Sequence, residues 1–394
     1  MKKKKLLFIY EELNTGGSTT SLLNLLDIFD YERYEVDLLC YRMPSPEHCS
    51  ALGLSERVRV LDGAAKYGKS RAERIIKAGI LALSPSFHRA LRARKRCASK
   101  YVVLQNMSYA RLRLSKGLAA HYDAAVSFIE GWSNSYLLSD KVSADKKIAF
   151  IHLDYPHSGL DPELDRAAFA RADRIALVSE HCREGFISLF PEYEDKAVCV
   201  RNVFSPEKLR LLADTPSDAD KNGAKHYDFI TVCRPDIYVK GLDRLTEAAA
   251  KLKRSGRSFS WGIVGVPPES ELSELIRRNG VEDHVFPIGS RLNPYPYFKT
   301  ADWLVLTSRF EACPMVVTEA HILACPCIVT EYPSASEQIK NGVNGIVTEN
   351  SVDGIFSALC RVLDQRSLRS EFSERLKTES FSNPHEAERL YALL

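Results

Sequence analysis

Short apolar runs rich in β-branched and aromatic residues recur along the first half of the chain, and stretches with helical spacing of apolar residues separate them. Runs without an alternating polar face are typical of parallel strands that helices cover on both sides. The predicted strands are Leu6–Tyr10, Glu35–Cys40, Val58–Leu61, Ala124–Ile129, Lys147–His152, Arg174–Ser179 and Ala197–Arg201. This half is therefore predicted to form a doubly wound α/β domain.

A second series of the same kind begins after a polar stretch, 205–226, which is predicted to be a linker. Helical patterns such as Leu242–Lys253 and Met315–Leu323 follow most of its strands. The chain is therefore predicted to be α/β, with doubly wound domains over 1–205 and 206–376 and a C-terminal helix within 377–394 that can cross back to the first domain. The strands of this second series are predicted at Asp228–Cys233, Ser258–Val264, His284–Ile288, Trp303–Thr307, Cys327–Thr330 and Gly345–Val347.

The charge of the chain is small overall but unevenly distributed. The net charge is +3, yet the segment 64–117 holds fourteen Lys or Arg and one acid, Glu73, so the remainder is net acidic. A basic segment on a mildly acidic body favours contact with an anionic surface, such as the inner face of the plasma membrane. The alternatives are a solvated helical face and a grip on a soluble anionic acceptor. The predicted membrane-docking residues are Arg92, Arg94, Lys95 and Arg96.

The composition is that of an ordinary globular protein, with 45% hydrophobic and 27% charged residues. The ten cysteines are scattered, without a CxxC pair or zinc-like spacing, which is typical of reduced cytosolic thiols. No apolar stretch approaches the roughly 20 residues that span a bilayer. The predicted location is therefore the cytoplasm, with peripheral attachment to the membrane as an option.

Two cations follow the first strand of the second series. The run DFITVCR ends at Arg234, and Lys240 follows six residues later, directly before Gly241 and a helical pattern. Carboxyl ends of parallel strands and helix N-termini attract anions. Because Arg and Lys can compensate the charge of a pyrophosphate without a metal ion, this pair predicts a diphosphate site.

Two glutamates follow the strand ADWLVLTS. Glu311 and Glu319 are separated by seven residues, and Pro314 is placed to open a helix. Glu311 is then expected on the loop above the sheet and Glu319 inside the helix, while the free N–H groups of Met315 and Val316 face a ligand. Two carboxylates in this arrangement can each bind a vicinal diol, one on a sugar and one on a ribose.

Nearly the whole chain resembles the retaining GT-B glycosyltransferases, especially the large family 4. The resemblance is carried by VCRPDIYVKGLDRL, by NPYPYFKTADWLVLTSRFEACPMVVTEA with its two glutamates, by NGVNGIVTE, and by NTGGSTTSLLNLL near the N-terminus. The run from YDAAVSFIEG to KKIAFIHLDYPHSG resembles members that build bacterial surface polysaccharides. The resemblance implies two Rossmann-like domains and a hexosyltransferase that moves a sugar from a nucleotide-diphosphate sugar, a UDP-sugar being favoured, to a glycan or lipid-linked acceptor.

The resemblance also implies roles for individual residues on the donor side. Arg234 and Lys240 would hold the diphosphate, Glu319 the ribose hydroxyls, and Glu311 the 3- and 4-hydroxyls of the sugar. Neither a cofactor, a metal ion nor a nucleic-acid partner is implied. Retention would follow from attack on the face from which the diphosphate leaves, with the departing phosphate oxygen taking the acceptor proton.

The N-terminal half supplies the remaining expected residues. His152 matches the histidine that lies near the donor sugar in the resembled family, and Gly16 and Gly17 would let the backbone approach the phosphates. Glu130 and Asp154 are expected on the acceptor side. In the C-terminal half, Ala312 and Pro235 depart from the family pattern and put the fine donor geometry in question.

Two other functions remain open from the sequence. The segment 63–70, GAAKYGKS, has the form of a P-loop, which predicts an NTPase as the rival enzyme. The second alternative is a non-catalytic subunit that binds a nucleotide sugar. Asp218 and Asp220 imitate the DxD motif of metal-dependent transferases, but they lie in the predicted linker with no strand before them.

Overall fold

The chain forms two compact units. The first comprises Met1–Asn14, Ser18–Asn202 and Pro384–Leu394, and the second comprises Thr15–Gly17 and Val203–Asn383. Of residues 90, 93–95 and 100, the backbone alone is described. The computed structural model describes residues 2–63, 75, 79, 82–95, 100–112, 114–216 and 224–394.

The first unit is built on a parallel sheet of seven strands in the order β3-β2-β1-β4-β5-β6-β7. The order reverses between β1 and β4, so the loops after these two strands diverge and leave a crevice at the carboxyl edge, where doubly wound proteins bind ligands. Its strands are β1 Lys4–Tyr10, β2 Tyr34–Cys40, β3 Val58–Asp62, β4 His121–Ser127, β5 Ser143–Ile151, β6 Arg174–Leu177 and β7 Ala197–Cys199.

The second unit repeats this plan with six parallel strands in the order β10-β9-β8-β11-β12-β13. Its order reverses between β8 and β11, which places the corresponding crevice beyond these two strands. Its strands are β8 Phe229–Val232, β9 Trp261–Val264, β10 Val285–Gly289, β11 Trp303–Leu306, β12 Cys327–Thr330 and β13 Gly345–Thr348.

Described helices connect successive parallel strands, as crossover connections require, and further helices follow the last strand. In the first unit they are α1 Gly17–Asp27, α2 Pro46–Ala51, α3 Pro85–Lys95, α4 Lys100–Leu112, α5 Trp132–Leu137, α6 Pro162–Phe169, α7 Glu180–Leu189, the 3₁₀ turn Pro191–Lys196, and the C-terminal α16 His385–Leu393. In the second unit they are α8 Pro206–Ala213, α9 Leu242–Arg254, α10 Glu271–Asn279, α11 Tyr295–Thr300, α12 Met315–Ile322, α13 Ala335–Gln338, α14 Val352–Asp364 and α15 Ser367–Thr378.

The predicted α/β class is confirmed, and a strand lies at each of the thirteen predicted positions. The predicted linker 205–226 is wrong in its first half, because α8 occupies Pro206–Ala213. Leu209 and Ala213 of this helix are buried in the apolar core of the second unit. The helix is only eight residues long, too short for a periodic apolar pattern to stand out from its charged residues.

The C-terminal helix α16 packs on the sheet of the first unit through its aromatic ring. Tyr391 stacks on Tyr34 with ring centroids 5.5 Å apart, and it meets Phe29 edge to face. The Tyr391 hydroxyl accepts a hydrogen bond from the backbone N–H of Asp30, and the buried Glu386 carboxylate accepts one from the N–H of Arg201. These contacts attach the chain's last helix to the segment that leads into β2 and to the backbone that follows β7.

Candidate functional site

The loops that follow β8 and β11 meet at the crevice of the second sheet. Lys240 lies on the first loop and Glu311 on the second, and Lys240 Nζ is 2.6 Å from Glu311 Oε1. The Ser308 hydroxyl donates a hydrogen bond to the same carboxylate oxygen. The parallel topology thus joins a cation and an anion that are 71 residues apart in sequence.

Backbone contacts hold the two loops at a fixed spacing. The Thr307 hydroxyl lies 2.9 Å from the Lys240 carbonyl and 3.0 Å from the Gly241 carbonyl. The Arg309 N–H donates to the Val239 carbonyl. Gly241 has φ +61°, and a Cβ there would lie 2.0 Å from the Thr307 carbonyl oxygen, so only glycine fits this close approach.

Two arginines that the sequence did not single out strengthen this junction. The buried Arg244 guanidinium donates to the Thr307 carbonyl and to both oxygens of Asn350. Arg309 forms a two-pronged ion pair with Asp243 and lies over the Tyr238 ring. From the sequence, Arg244 is only a charged residue at the start of an amphipathic helix. Such residues usually face solvent, so the sequence offers little indication that Arg244 is buried.

Arg234 occupies the other predicted position at the end of β8. Its side chain is exposed and, among the described residues, makes no hydrogen bond or ion pair. The structure therefore brings Lys240 and Glu311 together and leaves the Arg234 guanidinium open to a ligand. An unpaired guanidinium at a strand's carboxyl end suits a bound phosphate, which it can grip with two hydrogen bonds.

Helix α12 begins at Met315 after Pro314, which offers no side-chain cap. Within the described part of the chain, the N–H groups of Met315 and Val316 have no acceptor, as expected for the first turn of a helix. Oriented N–H groups and the helix dipole make such a terminus favourable for an anion.

Glu319 lies one turn further along α12 and is buried. The Tyr295 hydroxyl donates to its Oε1 at 3.2 Å. Burial raises the pKa of the Glu319 carboxyl to about 7, and the hydrogen bond from Tyr295 opposes that rise. The buried carboxylate thus has one hydrogen-bond partner, the Tyr295 hydroxyl, and no described hydrogen bond or ion pair links it to Lys240 or Glu311.

In the first unit, His152 and Glu130 lie beyond the carboxyl ends of β5 and β4. The His152 N–H donates to Glu130 Oε2 at 3.0 Å. The His152 ring packs against Phe128 and Phe150, and its Nε2 is buried without a described partner. Burial lowers the pKa of His152 to about 4, so the ring is uncharged at neutral pH.

Asp154, the other residue predicted on the acceptor side, is buried close to two histidines. Its Oδ2 lies 2.7 Å from Nδ1 of His157 and 3.8 Å from Nε2 of His181. Its Oδ1 has no hydrogen-bond partner among the described residues. Asp154 Oδ1 can therefore accept a hydrogen bond, and no described group donates one to it.

Gly16 and Gly17 lie between β1 and α1. A Cβ placed on Gly16 would meet no described atom within 4 Å, and Gly17 opens the helix. Packing within the described part of the protein therefore does not require glycine at position 16. Close approach of a ligand to the backbone remains a physical reason for it.

Several residues of the sequence hypotheses lie in the undescribed parts of the chain. Arg92 is exposed on α3, whereas the side chains of Arg94 and Lys95, and Arg96 altogether, are outside the described residues. The same holds for 64–70 of the P-loop-like segment and for Asp218 and Asp220. In the described part of the chain, no helix is long and apolar enough to cross a membrane, and no group of three or more His, Cys, Asp or Glu could hold a metal ion.

Residues 215–379 match the family of glycosyl transferases group 1. Among curated proteins, the alpha-D-kanosaminyltransferase of Streptomyces kanamyceticus is 29% identical over 139 residues, which are 34% of this chain and 36% of the relative. An uncharacterized glycosyltransferase of Methanocaldococcus jannaschii is 24% identical over 38% of this chain and 37% of its own length. The chain thus matches little more than a third of the length of these curated relatives.

Solved structures extend the likeness to the fold of the whole chain. S. aureus TarM, solved as a G117R mutant with fondaparinux, alpha-GlcNAc-glycerol and UDP, matches 99% of both chains with a TM-score of 0.69 at 14% identity. Anabaena HepE, solved with UDP and glucose, matches 99% of this chain and 98% of its own with a TM-score of 0.68 at 14% identity. The chain has the GT-B fold of these glycosyltransferases.

Proposed function

We propose that this GT-B chain is a retaining glycosyltransferase that moves a sugar from a nucleotide-diphosphate sugar to a glycan or lipid-linked acceptor. The observation that carries the proposal is the Lys240–Glu311 pair at the crevice of the second sheet. It lies within 215–379, the segment that matches group 1 glycosyl transferases, as do Arg234 and Glu319.

The donor diphosphate is proposed to bind between Arg234, Lys240 and the N-terminus of α12. Its negative charge increases as the bond from the sugar to the diphosphate breaks, so fixed cations and N–H groups stabilise the transition state more than the ground state. Because Arg and Lys supply this charge, we expect transfer to proceed without a metal ion. The Ser308 hydroxyl and Lys240 Nζ fix Glu311 Oε1, which positions the carboxylate to accept hydrogen bonds from the sugar hydroxyls.

Retention requires the acceptor oxygen to bond to the anomeric carbon on the face from which the diphosphate departs. The leaving phosphate oxygen then takes the acceptor proton, so no protein nucleophile is needed. From the first unit we carry over His152, whose uncharged ring can exchange a hydrogen bond with a sugar hydroxyl, and Asp154 and Glu130 on the acceptor side. Gly16 and Gly17 would admit a phosphate close to the backbone.

A UDP-sugar is the favoured donor. TarM was solved with UDP and HepE with UDP and glucose, and both share the fold of this chain. The resemblance of the first half to enzymes of bacterial surface polysaccharides suggests a glycan or lipid-linked acceptor at the inner face of the plasma membrane. The basic segment 64–117 supports this, and Leu83, Leu91 and Leu104 within it are exposed.

A thermal-shift screen against UDP-, GDP-, ADP- and TDP-sugars would identify the donor. A ligand at 100 times its dissociation constant should stabilise the protein by about 2.7 kcal/mol. Absence of a shift with every nucleotide sugar would reject the proposed function. Nucleotide hydrolysis that needs no acceptor would support the P-loop alternative, and tight donor binding without transfer would support the non-catalytic subunit.

Arg234→Ala and Lys240→Ala test the proposed catalytic charge. Loss of either cation should slow transfer about a hundredfold, on the order of 3 kcal/mol, while the thermal unfolding temperature stays within a few degrees of wild type. Lys251→Ala is the matched control, since Lys251 lies on the surface of α9 and pairs there with Asp353 of α14. Transfer within threefold of wild type in either variant would remove the diphosphate site from the proposal.

A further inference from the structure

Tyr295 and Glu319 form a buried pair in the second unit. The tyrosine begins α11 and the glutamate lies on α12, and both are less than a tenth exposed. The hydroxyl donates to Oε1 at 3.2 Å, and no hydrogen bond among the described residues occupies Oε2. One carboxylate oxygen is therefore held by the protein and the other is left for a ligand.

Tyr295 is held in position by contacts with helix α8, which lies in the stretch that was predicted to be a linker. Asn293 Oδ1 accepts the Tyr295 N–H at 3.3 Å. The Asn293 amide donates to the carbonyls of Leu212 and Thr215 at the end of α8. Helix α8 also packs against both α11 and α12. These contacts attach the start of α11, and with it Tyr295, to the end of α8.

We propose that Tyr295 is a positioning residue of the nucleotide site, whose hydroxyl holds Glu319 by Oε1 and leaves Oε2 to accept hydrogen bonds from the ribose hydroxyls. This inference rests on the proposed function. A neutral carboxyl keeps a proton on one oxygen and is the poorer acceptor, so ribose binding favours the ionised form. Burial opposes ionisation, and the tyrosine hydroxyl is the described group that favours it.

No charged side chain among the described residues pairs with Glu319. Besides α11, the elements packed against α12 are α8, α15 and β12. Burial raises the pKa of Glu319 and the hydrogen bond from the Tyr295 hydroxyl lowers it, and no other described charge contributes. The titratable residues on these elements and on α12 itself are Glu207, Lys208, Arg210, Tyr297, Lys299, His321, Cys327, Arg369, Glu371, Glu374, Arg375 and Lys377.

Titration calorimetry with UDP between pH 5.5 and 8.5 tests the proposal on wild type, Tyr295→Phe and Glu319→Gln. Measurements in two buffers of different ionisation enthalpy also give the protons released on binding. The Gln variant removes the carboxyl, so its profile records the titration of UDP itself. Tyr193→Phe is a matched control in the first unit, where the hydroxyl donates to the Arg166 carbonyl.

Relative to Glu319→Gln, wild-type affinity should rise with pH and level off above about pH 7. In Tyr295→Phe the rise should shift to higher pH, with roughly threefold weaker binding on the acid limb for each half unit of pKa. Its proton release near pH 7 should exceed that of wild type, while Tyr193→Phe should follow wild type.

An unchanged pH profile in Tyr295→Phe, or a loss of affinity equal at every pH, would overturn the role of Tyr295, because a packing defect does not depend on pH. If neither UDP nor GDP binds wild type, the proposed function fails and this role fails with it. Binding of UDP that Glu319→Gln leaves unaltered in strength and pH profile would show that the nucleotide does not use Glu319 at all.

Discussion

Glu319 is a residue whose burial lowers the stability of the folded protein when its carboxyl is ionised. Its carboxyl is buried in α12, and the Tyr295 hydroxyl at 3.2 Å only partly replaces the water that it has lost. Its pKa is raised to about 7. A buried acid with a raised pKa weakens the unliganded fold at a pH at which it is ionised.

We predict that Glu319→Gln stabilises the unliganded protein above pH 7. The folded pKa of Glu319, about 7, exceeds its ordinary value of 4.5, so the folded state binds the proton more tightly. The stability from this group is present below pH 4.5 and is lost as pH rises through 7, by about 3 kcal/mol in total. Thermal unfolding at pH 5 and pH 8 measures it. An advantage of the variant that does not grow between these pH values would contradict the prediction.

At the scale of elements, hydrogen bonds join the loops after β8 and β11 to each other. Thr307 hydrogen bonds, the Arg309 backbone and the buried Arg244 tie them together. This junction fixes Lys240 and Glu311 before any ligand arrives. Preorganised charges stabilise a transition state more effectively than mobile ones, because no reorganisation is required during the reaction.

Gly241→Ala should break this junction. The new Cβ would lie 2.0 Å from the Thr307 carbonyl oxygen at a φ of +61°, so the backbone must move and the loss of stability should exceed roughly 3 kcal/mol. Gly256→Ala is the control, because its φ is +78° and a Cβ there meets no described atom within 4 Å. It should cost only about 1–2 kcal/mol. Equal unfolding temperatures for the two variants would argue against the close approach.

Helix α8 offers a second test at this scale. Leu209 is 1% exposed and Leu211 is 69% exposed on the same helix. Leu209→Ala should lower the free energy of unfolding by about 2–5 kcal/mol, as deletion of a core leucine does, and Leu211→Ala should change it little. Denaturant unfolding compares them. A flexible linker would show no difference between the two variants.

At the scale of the whole molecule, the distribution of charge along the chain is uneven. The basic segment 64–117 stands against a net acidic remainder. Opposite signs on different parts of one chain orient it in the field of an anionic surface. Under the proposed function, a lipid-linked acceptor would lie on such a surface, and attachment would bring the chain to that acceptor.

Vesicle co-sedimentation tests the proposed attachment to an anionic membrane. The protein should pellet with anionic vesicles at low salt, since each basic residue near the leaflet contributes about 1 kcal/mol, and less so as salt shortens the screening length. Replacing Arg92, Arg94, Lys95 and Arg96 by Gln should release it while donor binding persists. The same change at Lys251, Lys253, Arg254 and Arg257 is the control of equal charge. Equal pelleting with anionic and neutral vesicles would reject membrane docking.

The sequence by itself determined the α/β class and the position of every predicted strand. A strand buried on both faces is a continuous apolar run, which can be recognised from a few neighbouring residues. The motif around Arg234, Lys240, Glu311 and Glu319 was likewise visible, because strand ends and helix starts have local signals. These features depend on residues close together in the chain.

Only the tertiary structure decided which of these residues meet. Lys240 and Glu311 touch because β8 and β11 are neighbours in a sheet whose order differs from the chain order. The roles of Arg244 and Tyr295 depend on Thr307, Asn350 and Glu319, which lie far from them in sequence. The pKa of a buried group is set by everything packed around it, and that environment exists only once the chain has folded.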